Sequence, residues 1–143
     1  MALFGFEHKS GDYELGMALT EASSALVPGD SCVNLSGTLD IGTTGNKIVG
    51  VSLGTKLVGD SATTAVQFLK ILSGNIKFYA NVVSGTYATT DVLGFKDLAG
   101  ASGAQGIADN SNSDLYLDTV LVAGSSGTGI VIFADPGYRN ATN

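Results

Sequence analysis

The residues of this chain able to do chemistry are few and dispersed. It has one cysteine, Cys32, and one histidine, His8. A cysteine nucleophile needs a base within hydrogen-bond reach to hold it as thiolate. Cys32 stands in an apolar alternation near Leu35 and His8 in a polar N-terminal stretch, so the thiol reads as a small buried hydrophobe and no dyad is expected. Asp109, Asn110, Asn112 and Asp114 have the alternating oxygen-bearing pattern with which a loop wraps Ca2+. No glycine marks the sharp turn such a loop requires and no Glu closes it, so a solvated loop is expected. Gly42-Thr43-Thr44-Gly45-Asn46-Lys47 has the look of a phosphate loop, but Asn46 separates Gly45 from Lys47 and Ile48 follows where Ser or Thr is needed. It reads as a hairpin turn. Gly124 to Gly129 has the wrong glycine order for a dinucleotide fingerprint and joins strand to strand. Ten Asp and three Glu are spread without pairing. The expectation is a protein that is not an enzyme, with no cofactor, no metal and no small-molecule substrate.

The totals favour a single domain. At 143 residues, a chain buries roughly 68 to 70% of its unfolded surface and needs no disulfide staple. Twenty Gly, two Pro and no Trp, with Ser, Thr and Asn between short apolar runs, suit short strands and many turns. Only 14% of residues are charged and the net charge is -6. Seven dispersed cations give no basic patch, which argues against nucleic-acid binding. MALFGFEHKS has no basic leader before an apolar core, and no run approaches a membrane span, so cytoplasmic synthesis with no membrane partner is expected.

The elements follow from apolar spacing. Val66 to Val83 reads as two apolar strands folded into a hairpin about Ser73-Gly74-Asn75, the first arm apolar on both faces. Ser31 to Leu35 is a strand launched by Pro28-Gly29-Asp30 and stopped by Ser36-Gly37. Lys47 to Leu53 is a strand in which Gly50 marks a bulge or a close backbone approach. Asp91 to Leu98 leans to strand, and residues 99–114 suit a long mobile surface loop. Leu115 to Ala123 and Gly129 to Ala134 form a second hairpin. This divides the chain into an N-terminal arm at 1–25, a β-body at 26–134 and a polar tail at 135–143. Tyr13 to Leu19 could be a short helix behind Asp12, which Gly16 weakens. In the arm, Leu3, Phe4 and Phe6 form an apolar knot that either folds back on the core or anchors a neighbouring chain.

An N-terminal arm, the run Val27-Pro28-Gly29-Asp30-Ser31-Cys32-Val33, an all-β body centred on Ala65 to Val83 and a closing strand Ile130 to Phe133 together resemble the head-decoration or cement proteins of tailed bacteriophages. The similarity is one of overall pattern across most of the chain. It implies a compact, single-domain β-barrel or β-tulip of short antiparallel strands. It also implies a homotrimer on the outer capsid surface of the virion, seated at threefold and quasi-threefold positions and clamping the major capsid protein through its arms. The residues it points to as a capsid or subunit interface are Leu3, Phe4, Phe6 and Tyr13. A receptor- or carbohydrate-binding module of a tail fibre or spike is the competing expectation, with Tyr87, Tyr116 and Tyr138 as the rings on which a sugar would stack.

Overall fold

The computed structural model describes residues 5–21, 24–57, 60, 64–72, 74–85, 87–109 and 112–134. Short apolar runs separated by turn residues give eleven strands. They are β1 (Glu7–Ser10), β2 (Glu14–Leu19), β3 (Ser31–Leu35), β4 (Thr38–Ile41), β5 (Gly50–Ser52), β6 (Ala65–Lys70), β7 (Lys77–Asn81), β8 (Phe95–Ala99), β9 (Gly106–Ala108), β10 (Leu115–Val122) and β11 (Thr128–Phe133), with one 3-10 turn at Thr89–Asp91. The fold is all-β, as the composition requires.

The strands form two antiparallel sheets, one ordered β1-β7-β11-β10-β8-β9 and the other β2-β6-β5-β3-β4. The chain gives β1 to the first sheet, crosses to build all of the second, and crosses back at Lys70–Lys77 to complete the first. A closed barrel is therefore not formed. The five-stranded sheet curls until its two edge strands touch through one isolated parallel bridge, Thr20 with Leu39; in the six-stranded sheet a like bridge, Val82 with Ile107, joins the end of the interior strand β7 to the edge strand β9, and neither contact extends into a ladder.

The expected hairpin at Val66–Val83 is corrected by this topology: β6 and β7 lie in different sheets. Alternation identifies a strand but not its neighbour, and two arms of strand period suit two interior strands of different sheets as well as one hairpin. β6 lies between β2 and β5, and β7 between β1 and β11. The second hairpin is present as read, β10 pairing with β11 from Leu115↔Phe133 to Val122↔Thr128 with two register shifts. The β3–β4 hairpin turns on Ser36 (φ 52) and Gly37 (φ 93), the paired positive dihedrals of a tight two-residue loop. Gly50 marks a close approach: a Cβ there would lie 2.5 Å from the Phe68 ring and 2.6 Å from the Leu69 carbonyl.

The core sits between the sheets. Val51 and Leu69 from one meet Phe78, Leu115, Leu117, Val131 and Phe133 from the other. Phe133 is the aromatic hub, with Phe6 and Phe78 edge-on to it at centroid distances of 4.7 and 5.2 Å. A smaller cluster, Leu26, Cys32 and Leu39 with Phe68 packed against it, lines the inside of the curl of the five-stranded sheet.

The N-terminal segment departs from the arm expected of it. β1 pairs with β7 and β2 with β6, so residues 7–19 are built into both sheets, and β2 is a strand rather than a helix. Their polar and glycine-broken pattern hid this, because edge strands need apolar residues on one side only. Residues 99–114 also differ from a free loop. They carry the β8–β9 hairpin and are tied down by buried polar side chains. The Asp30 carboxylate accepts from Ser102 Oγ at 2.6 Å and the Gly103 amide at 2.9 Å. Gln105, fully buried, accepts from the Ser31 amide at 2.8 Å and donates to the Gly42 carbonyl at 2.9 Å.

Candidate interaction surface

The groups singled out for chemistry are occupied by structural work. The Cys32 thiol is completely buried and donates weakly to the Asp30 carbonyl at 3.7 Å. Burial, reinforced by the Asp30 carboxylate, pushes its pKa up to about 12, and a thiol kept protonated to that pH is no nucleophile. His8 lies elsewhere, its ring edge-on to Tyr13 and Phe78.

The proposed calcium ligands diverge. Asp109 projects outward 4.0 Å from Lys96 Nζ, Asn112 donates to Thr44 Oγ1 at 3.1 Å, and Asn110 lies outside the described residues. Asp114 is buried, accepting from Thr44 Oγ1 at 2.5 Å, the Gly45 amide at 2.8 Å and the Leu98 amide at 3.0 Å. Among the described residues no group of three or more His, Cys, Asp or Glu converges to hold a metal. The same contacts explain the glycine-rich turn at 42–47: its donors grip the Asp114 carboxylate and thereby pin one loop to another.

What the surface does present is an apolar face. β2 is an edge strand, and its register on β6 places Leu15 beside Leu69, Met17 beside Gln67 and Leu19 beside Ala65. β5 continues the rows, with Val51 beside Leu69 and the Leu53 amide donating to the Gln67 carbonyl at 2.9 Å. Cross-strand partners share a face, so these eight side chains point the same way. The row nearer the core is covered, Leu69 and Val51 being each only 2% exposed. The rest of the face is not: Met17 is 64% and Leu53 43% exposed, and Leu15, at the edge end of that first row, and Leu19 are 51% and 45% exposed. Glu14 and its partner Lys70 fall on the opposite face, so the exposed rows carry no charge.

Of the four interface residues expected from the sequence, Tyr13 continues this stripe. It precedes β2 in the same alternation, half-exposed, its ring 4.7 Å from that of His8. Phe6 is buried against Phe133, and its amide donates to the Gly29 carbonyl at 2.8 Å. Its ring is taken up by the chain's own core and offers nothing to a neighbour. Leu3 and Phe4 lie outside the described residues. The reading of residues missed Leu15, Met17 and Leu19 as a surface; their odd-numbered spacing in ELGMAL was the available signal, obscured by Gly16 and Ala18.

A second feature is a cleft of about 580 Å³ at one end of the sheets, lined by Lys47, Ile48, Ile71, Leu72, Tyr116 and Phe133 among others. Among the described residues Tyr116, backed edge-on by Phe95 at 5.6 Å, is the sugar-stacking candidate that reaches it. Tyr87 is buried in the core and Tyr138 lies outside the described residues.

Fold and surface together define an all-β body of two curled sheets with an uncharged apolar face. Compared with known proteins, the chain matches no family model, no curated protein and no solved structure.

Proposed function

We propose that this chain is a structural virion protein that binds the outside of a phage capsid at threefold and quasi-threefold positions as a homotrimer and cements neighbouring major capsid subunits. The observation that carries the reading is the uncharged face formed by Leu15, Met17, Leu19 and Leu53 on the five-stranded sheet. Monomers rarely leave apolar patches of more than a few hundred Å² in water, and such a patch is what an assembly protein needs. Cementing requires no chemistry. A protein that binds the intact shell but not its disrupted state stabilises the shell by mass action, and repetition over the lattice multiplies the effect.

The test is co-sedimentation of the purified chain with phage heads, counting copies per major capsid subunit by quantitative mass spectrometry. Saturation near one copy per capsid subunit is expected. A handful of copies per particle, or none, removes the reading.

A second reading rests on the Tyr116 cleft. An open cleft of this size with an aromatic wall suits a carbohydrate- or receptor-binding module of a fibre or spike. A glycan array separates the two: specific signal that is lost in Tyr116→Ala supports the module, and a blank array leaves the cement reading alone.

A further inference from the structure

We infer that the mouth of the five-stranded curl and the Tyr116 cleft beside it form one groove that binds a small amphipathic anion, an alkyl chain ending in a carboxylate. The inference goes beyond both readings of function above and depends on neither.

The groove is built from two halves that meet. Beside the cleft of about 580 Å³ lies a more open one of about 390 Å³, and Lys47, Ile71 and Leu72 line both. Each is of a size that holds a small ligand. Their shared wall is fixed by backbone pairing, the Ile71 amide donating to the Val49 carbonyl at 3.0 Å next to the Gly50↔Lys70 register. The second cleft opens on the inside of the curl, where Leu39, Val49 and Phe68 belong to the smaller apolar cluster. Two glycines shape its floor. A Cβ at Gly16 would lie 2.9 Å from the Phe68 ring and 2.7 Å from Lys70 Cε, and one at Gly50 would lie 2.5 Å from the same ring. Glycine at both positions seats the ring and the lysine stem against the backbone and leaves the space above them open.

Charge sets the sign of the ligand. Thirteen carboxylate side chains outnumber seven cations in the chain, yet the described residues that line the two clefts include Lys47 and Lys70 and no carboxylate. Lys70 also differs from other lysines drawn into the protein. Lys56 donates to the Glu21 and Ser24 carbonyls, Lys77 lies 3.2 Å from Asp118, and Lys96 lies 3.3 Å from Asp91. Lys70 is half-buried and forms no ion pair among the described residues, not even with its cross-strand neighbour Glu14. A partly desolvated ammonium without a counter-charge gains from an anion placed beside it. In a protein of net charge -6, it is also where an approaching anion meets least repulsion.

The rest of the lining selects an alkyl chain over a sugar. Ile48, Ile132 and Phe133 face the first cleft, and an alkyl chain laid on such a surface removes apolar area from water on both sides. A carboxylate between Lys47 and Lys70 places the chain across Ile71 and Leu72, with its end in the cleft under Tyr116.

The experiment is isothermal titration calorimetry of the full chain with decanoate, against decan-1-ol as the same chain without charge. Decanoate is expected to bind with a dissociation constant below about 200 μM. Decan-1-ol should bind about tenfold more weakly or worse, and Lys70→Met should weaken decanoate by a similar factor, the loss of one charge-assisted contact. Leu72→Asp places a carboxylate in the shared wall at a side chain that is 65% exposed, so it leaves the fold intact and should abolish decanoate binding. It decides the matter if Lys70→Met fails to fold. Decanoate binding weaker than about 200 μM, equal affinity for the alcohol, or indifference to Leu72→Asp overturns the inference. Neither phage heads nor a glycan enters the titration, so its outcome is separate from the tests of function above.

Discussion

Leu69 and Leu15 are cross-strand partners on one face of one sheet, yet the first is sealed in the core and the second stands in water. They have the same side chain and the same strand chemistry. They differ in place: Leu69 is on an interior strand within the core between the sheets, and Leu15 is on the edge strand beyond it. Burial is thus set by how far two curled sheets overlap, not by residue type, and the part of an apolar face left beyond the overlap becomes available to a partner. The contrast separates two roles that a hydropathy pattern merges: holding the chain together and holding it to something else.

The strongest way to break the comparison is to truncate both leucines. Leu69→Ala is expected to lower unfolding stability by about 2 to 5 kcal/mol, the loss of transfer energy plus a cavity in a packed interior. Leu15→Ala should stay within about 0.5 kcal/mol in the dissociated chain, since little is lost by shortening an exposed side chain. Denaturant titrations at low protein concentration measure both. Equal losses would mean that Leu15 is part of the monomer core and that the uncovered half of the sheet is no separate surface.

A smaller effect comes from the other side of the same sheet. Cys32 lies in the cluster inside the curl, its pKa raised to about 12 by burial and by Asp30 from an ordinary value of 9.0. The fold favours the neutral thiol, so its stabilising contribution is complete below pH 9 and is lost as pH rises through about 12. The expected outcome is a melting temperature that falls over this window, with a shallower fall in Cys32→Ala. An identical slope in that variant would show that the curl admits water and that the cluster is not closed.

Much of this architecture was legible in the sequence, and the illegible parts share a cause. Turn chemistry located β3 at Pro28–Gly29 and Ser36–Gly37, two-faced apolar runs located β6, β10 and β11, and alternation located β7. Pairing was not legible for β6 and β7, because a period of two states which side chains share a face and says nothing about which strand lies beside them. The sites were harder. Asp114 reads as part of a solvated loop, yet it is buried with its acceptor positions filled by Thr44, Gly45 and Leu98, partners distant in sequence or hidden in backbone amides. Phe6 and Leu15 show the same limit from the other direction: an aromatic that the sequence left open between core and interface is core, while an aliphatic in a plain strand is surface. Only the overlap of the sheets decides these cases, and overlap is a property of the assembled fold.

The smallest expected effect tests the covered region where its chemistry is least complete. Tyr87 is buried within the main core, and its hydroxyl has no hydrogen-bond partner among the described residues. It is packed between Gly127 and Gly129, where an added Cβ would lie 3.1 and 3.3 Å from its ring and oxygen. Burial without a partner pushes its pKa up to about 12. An unpaired buried hydroxyl costs free energy that its removal returns, so Tyr87→Phe should stabilise the chain by about 1 kcal/mol. In a domain of this size that raises the melting temperature by about 3 °C. The same swap of oxygen for hydrogen would be silent on the uncovered face, where water satisfies every polar group; Tyr13→Phe is the control and should leave melting unchanged. A loss of stability in Tyr87→Phe would place an ordered water beside the hydroxyl, and the sealed half of the molecule would then be less dry than its packing implies.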